Sequence, residues 1–323
     1  MNSPNAVERV NSVLMVAACA AAFVAPFHVF LAAYAVLGPL HYLTQISWLH
    51  DRQYFAPRPA ARRWWLVLVG VAIAVMLYGY VSNDLLKRPV APTLEIAMVY
   101  LVFVTAALLL YVRHVVSAVA LIGVAVAVLA LFSSARAYAL LAYFIITIVH
   151  VLLFTAAFVL HGALKRRSGS ALMSLGVFAA CIAAFFLIPA PSALGASPRI
   201  REVYGFFTPL NEQLIALFGL EGSVFDSAAG LAVMRLIAFA YTYHYLNWFS
   251  KTSIIRWHQV TRRRAVLIFA AWGGAVALYV FDYATGLSVL YTLSVLHVLL
   301  EFPLDHQTFA GIGTELRALV RTT

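Results

Sequence analysis

Charge is what this sequence has little of. Only 11% of its 323 residues are Asp, Glu, Lys or Arg, against roughly a quarter in a soluble domain. With 64% of the residues hydrophobic, no water-soluble fold could cover the apolar surface, and lipid must solvate most of the chain. Cysteine is nearly absent. Cys19 and Cys181 both lie in apolar runs, which argues against a disulfide framework or a CxxC metal site. The HxxxH and HxxHH boxes of membrane desaturases are missing. No internal repeat of the kind that marks two-halved transporters is visible. The apolar run after MNSPNAVERV is too long for a signal-peptide core. A net charge of +10 does not call for nucleic acid as a partner, because basic residues collect in the cytoplasmic loops of membrane proteins.

What the chain does have is a succession of long apolar runs. They fall at 12–49, 64–82, 94–112, 115–132, 138–161, 171–189, 229–249, 265–283 and 287–303. The expectation is an all-α, polytopic integral membrane bundle of roughly 9–10 spans forming a single domain over residues 1–323. The first run is either two short spans joined near Ala33–Gly38 or one long helix kinked at Pro26 and Pro39. Residues 204–220 read as an amphipathic helix lying on the outer surface, and a short polar tail ends the chain. The loops at 52–63, 165–167 and 251–264 hold twelve Lys and Arg, and the alternate loops hold five. By the positive-inside bias the first set is cytoplasmic, and the expected location is the bacterial inner (cytoplasmic) membrane.

On this map the histidines are not scattered. His41, His150, His244 and His297 lie inside four different runs, at a similar depth in the cytoplasmic half. His50, His161, His258 and His306 form a second tier near the cytoplasmic ends, and only His28 and His114 stand outside the scheme. Ionisable groups within a membrane usually mark function, and imidazole is the commonest side-chain metal ligand. The expected site is therefore a metal centre held by His41, His150, His244 and His297, with the outer tier as further candidates. Glu301 shares the helical face of His297 four residues earlier, and Asp51 and Asp305 adjoin His50 and His306. Such carboxylates orient ligating imidazoles. Tyr245, beside His244, is a candidate to orient water or substrate, and Glu301 and Tyr245 are the expected catalytic groups.

Four short motifs carry a resemblance. GPLH with His41, IVHVLLF with His150, YTYHYLNWF with His244 and VLHVLLEF with His297 are similar in order and setting to the motifs of the Brp/Blh-type membrane β-carotene 15,15'-dioxygenase family. That resemblance covers about sixty residues in four patches. It implies an all-helical membrane oxidoreductase that cleaves a carotenoid with O₂ and non-haem Fe²⁺, with those four histidines as the iron ligands. More generally the expectation is an iron oxygenase acting on a lipophilic substrate in contact with membrane lipid. Two alternatives remain from the residues alone. Eight histidines on four stretches could hold haem b between paired axial ligands, and intramembrane histidines could line the path of a metal- or proton-coupled permease.

Overall fold

The structure is a computed structural model that describes residues 4–111, 144–189, 196–251 and 259–321, except 57 and 89–92, together with isolated positions between 112 and 143. His114, His258 and most of the expected span at 115–132 lie outside the described residues. The described chain is helical, with no strand. Helix α1 spans Pro4–Val24, α2 Pro26–Asp51, α3 Pro59–Asn83 and α4 Thr93–Tyr111. Helix α5 is wound as a π-helix over Phe144–Phe154 and as an α-helix over Thr155–Arg166. Then follow α6 Gly169–Leu187, α7 Pro198–Tyr204, α8 Thr208–Leu217, α9 Ala228–Ser250, α10 Arg262–Phe281 and α11 Tyr283–Val320. Six of these, α2, α3, α5, α6, α10 and α11, are long and apolar enough to cross a membrane. The protein is an all-α polytopic membrane bundle. Helices α1 and α9 have the length for a span but carry polar residues, Glu8 and Asn11 in one, Arg235, His244 and Asn247 in the other.

The helix ends follow from local chemistry. Proline opens α2, α3 and α7, where its missing N–H costs nothing. Ser168, Ser197, Ser227, Thr261 and Asp282 each accept a backbone N–H at a helix start. Helix α5 stops where Arg167 takes a left-handed conformation and Ser168 donates its N–H to the Ala163 carbonyl at 3.0 Å. The chain reverses there and α6 packs on α5.

The apolar run at 12–49 breaks at the first of the two expected prolines and not at the second. The break falls at Ala25, with φ −147° and ψ 62°, and α2 then runs unbroken through Pro39. It does so by widening: Ala33–Leu37 is a π turn, and the Gly38 N–H reaches the Ala33 carbonyl five residues back. A proline clashes with the carbonyl four residues before it, and the wider turn moves that carbonyl aside. Two further expectations change. The segment at 198–217 is no surface helix alone, since Tyr204, Phe207, Leu210 and Leu214 are buried in the core. The expected polar tail is instead the end of α11, 38 residues long, which at ~1.5 Å per residue is roughly 57 Å.

Helix α9 is the axis of the bundle. From Gly230 to Tyr245 every residue is buried, the pattern of a helix enclosed on all sides. Gly230 is required there, because a Cβ would lie 2.7 Å from the Val224 carbonyl carbon and closer still to the Ser223 and Val224 carbonyl oxygens. One apolar cluster gathers α1, α2, α6 and α9, and a second gathers α3, α4, α5 and α11. At one end of α1 a polar seam ties helices together. Glu8 accepts from Arg166 at 2.5 Å, Ser12 meets Ser174 at 2.9 Å, and Ser250 donates to Asn11 at 2.6 Å.

Candidate metal centre

Where the two apolar clusters meet, four helices each bring one histidine. His41 comes from α2, His150 from the π segment of α5, His244 from α9 and His297 from α11. All four are buried. Their ring centroids form a closed quadrilateral: His41–His244 4.8 Å, His244–His150 5.1 Å, His150–His297 5.3 Å and His297–His41 5.2 Å. Ligand nitrogens of His41, His244 and His297 all lie within 4.8 Å of one another. The Nε2 atoms of His41 and His244 are 3.1 Å apart. That falls in the ~3.0–4.2 Å range that two ligands of one ion keep when each bond is about 2.1 Å.

Neighbouring side chains set the rings. The Thr155 hydroxyl bonds to Nδ1 of His244 at 2.9 Å. With Nδ1 carrying the proton and donating to Thr155, the Nε2 lone pair points at His41 and the cluster. Tyr42 stacks on His297, with centroids 4.3 Å apart and planes 23° off parallel. The Tyr42 and Tyr245 hydroxyls meet at 2.8 Å. Gly38 lets this happen, since a Cβ there would stand 3.0 Å from the Tyr42 hydroxyl oxygen.

The donor set suits a metal cation. Nδ1 of His41 and both ring nitrogens of His150 and of His297 are buried without a hydrogen-bond partner. Burying unpartnered polar atoms is costly and rare. A cation takes one nitrogen of each ring, so one nitrogen of His150 and one of His297 would gain a partner from it, and neutral imidazoles suit iron, zinc and copper.

Glu301 lies one turn beyond His297, buried, with Oε2 3.7 Å from Nδ1 of His150. Beside the cluster is a cavity of about 480 Å³. His150, His244 and His297 line it at one part and Gly205, Phe206, Phe207, Pro209 and Leu210 at another, with Tyr34, Tyr241, Tyr245 and Tyr291 among the remaining walls. Away from the spans, Arg201 donates to Asp226 at 2.5 and 2.8 Å and holds that carboxyl below its usual range. The pair ties α7 to the turn before α9.

The outer tier does not come together. His50 is exposed and pairs with the Tyr54 hydroxyl at 3.1 Å. His161 packs on Gly311, where a Cβ would fall 2.5 Å from its Nε2. His306 bonds through Nε2 to the Phe103 carbonyl at 3.1 Å, and His258 lies outside the described residues. Asp51 serves Arg264, at 2.6 Å, rather than His50. Asp305, adjacent to His306 in sequence, joins Glu301 and His150 instead. Sequence reasoning missed Thr155 and Tyr42, whose positions beside His244 and His297 no spacing rule encodes. It named Asp305 but gave it to His306; its place beside Glu301 was readable from the four-residue stripe that His297 and Glu301 begin.

The fold and the site define an integral membrane protein with a buried histidine cluster that borders a cavity. Comparison with protein-family models, curated proteins and solved structures finds no match.

Proposed function

We propose that the protein is a membrane-embedded non-haem iron oxygenase acting with O₂ on a long lipophilic substrate, a carotenoid-like polyene being the class that the four histidine motifs favour. One observation carries the reading: three of the four clustered histidines form part of the wall of a partly open cavity lined mainly by aromatic and aliphatic side chains. An apolar molecule in that cavity would have its middle or its end against the cluster.

His41, His244 and His297 would hold the iron, with His150 as the fourth imidazole. Bound iron supplies open coordination positions and the redox capacity to activate O₂. The chain supplies the rest. Thr155 fixes which nitrogen of His244 faces the cluster. Tyr42 holds the plane of His297 by stacking. Tyr245, in the cavity wall and bonded to Tyr42, can keep or deliver a proton at its hydroxyl oxygen. Phe206, Leu210, Val295 and Val298 exclude water and match a hydrocarbon chain. Haem fits less well, because four rings with neighbouring centroids 4.8–5.3 Å apart leave no slot for a porphyrin plane between them.

The test is metal content and the visible spectrum of detergent-purified protein beside a His41→Ala/His297→Ala variant. These are followed by oxygen uptake with a panel of polyenes and other long apolar molecules. Iron without a Soret band, lost in the variant, together with substrate-dependent oxygen uptake, is the expected result. A Soret band, or protein that binds no iron on reconstitution, would sink the proposal.

A further inference from the structure

We propose that His150, Glu301 and Asp305 form a second cation site beside the histidine cluster, taking a first-row divalent metal through one imidazole nitrogen and carboxylate oxygens. The centre would then be binuclear, with His41, His244 and His297 as the principal ligands of one ion and this mixed set as those of the other. The inference rests on the proposed metal centre to the extent that His150 borders both sites.

Ligand atoms of these three residues all lie within 4.8 Å of one another. All three are buried, Asp305 completely. Both Asp305 oxygens, Oε2 of Glu301 and both nitrogens of His150 have no hydrogen-bond partner. No Lys or Arg among the described residues forms an ion pair with either carboxylate, and Lys251 acts on Glu301 only from a distance. Two carboxylates enclosed together in an apolar interior repel each other and lose their hydration, a cost that the Gln45 side chain bonded to Glu301 offsets in part and that bound protons or a cation relieve. The 3.7 Å from Nδ1 of His150 to Oε2 of Glu301 is too long for a hydrogen bond, yet it falls within the ~3.0–4.2 Å span open to two ligands sharing an ion at bonds of about 2.1 Å.

The placement on the helix is regular. His297, Glu301 and Asp305 follow at four-residue intervals on α11, so one face presents a ligand about every 6 Å. The imidazole belongs to the first site and the two carboxylates to the second, and His150 on α5 stands opposite the junction. A set with one nitrogen and carboxylate oxygens suits iron, manganese or zinc better than calcium or magnesium, which take oxygen alone.

The experiment measures metal per chain by elemental analysis. The purified full-length protein is used as isolated and after reconstitution with Fe²⁺, and then with Mn²⁺. Asp305→Asn and Glu301→Gln keep side-chain shape while removing charge, and His41→Ala attacks the neighbouring site alone. Monodisperse gel filtration and a cooperative melt identify the variants that remain folded. The expected result is about two ions in the parent, in the manner of two-metal sites, and about one in each variant. About one ion in the parent, kept by Asp305→Asn and Glu301→Gln and lost in His41→Ala, would overturn the second site and leave the histidine centre standing. About one ion kept in His41→Ala and lost in Asp305→Asn would overturn the histidine centre and support this one. No ion in any protein would overturn both, with the carboxylates then held by protons.

Discussion

The Thr155 hydroxyl is a small group with a measurable effect. Thr155→Val removes the oxygen 2.9 Å from Nδ1 of His244 and keeps the shape of the side chain. Both residues are buried, so no bulk water replaces the lost partner. Leaving a buried imidazole nitrogen unpartnered costs about 1–3 kcal/mol. Most of that cost falls on the metal-free and metal-bound protein alike and cancels in the affinity. What does not cancel is the fixing of the tautomer and the stronger N–H donor that a ligated imidazole becomes. Partners of this kind change metal affinity by about 10–100-fold. The cancellation places Thr155→Val near the lower end, about tenfold, equivalent to about 1.4 kcal/mol. The assay is chelator competition for bound metal in detergent, with the melt of the metal-free protein as control. Thr155→Ser keeps the hydroxyl and should bind metal nearly as the parent does. A Val variant whose metal-free form melts lower while its metal affinity is unchanged would refute the reasoning, since the bond would then serve packing alone.

Tyr245→Phe takes from the Tyr42 hydroxyl one of its two partners, Tyr245 and Ser294, in a residue that is 1% exposed. It should lower stability by about 0.5–1.5 kcal/mol, read as a lower melting temperature at equal metal content. Gly230→Ala places a Cβ against the backbone of Ser223 and Val224. It should cost about 1–3 kcal/mol or more, and a melt equal to the parent's would show that the 223–224 turn can retreat. The Arg201–Asp226 pair gives a pH signature. The Asp226 carboxyl is held below its ordinary value of 3.8 by the Arg201 hydrogen bonds. Its contribution is therefore full above that value and fades as pH falls through the lower folded one. Melting curves of the parent and Asp226→Asn should stay offset at neutral pH and converge in strong acid. An offset that persists there would assign the effect to something other than the ion pair.

Much of this architecture was written in the sequence in a form that simple physics reads. Apolar runs and the shortage of charge identify the membrane bundle, and four histidines at matched depth in separate runs identify the residues that converge. The outer tier shows where the same reasoning stops. His50, His161 and His306 share a depth with one another, but depth says nothing of direction. His50 points to the half-buried Tyr54, His161 to Gly311 and His306 to a backbone carbonyl. The segment at 204–220 was legible as an amphipathic helix and not as part of the core, while Pro198–Tyr204 read as loop; the apolar face could not show that it meets α9 and, through α7, the distant α2 rather than lipid. The break beside Pro26 was among those expected, but the unbroken course through Pro39 was hidden for a different reason: the sequence shows that Pro39 needs room, and not that a π turn will make it.

That turn, and the longer π winding around His150, have a consequence for anyone reading this chain by eye. A uniform helix advances about 100° per residue, and a wheel drawn on that rule assigns each side chain a face. A wide turn contains one residue too many, so it acts as a phase slip. Across Ala33–Leu37, the face deduced for Pro26–Ala32 is turned by roughly 100° relative to that of His41 and Tyr42. Deleting a single residue from that turn would restore the even rhythm on paper. In the protein it would swing Phe27 and Phe30, both buried, out of register with the histidine that the helix carries.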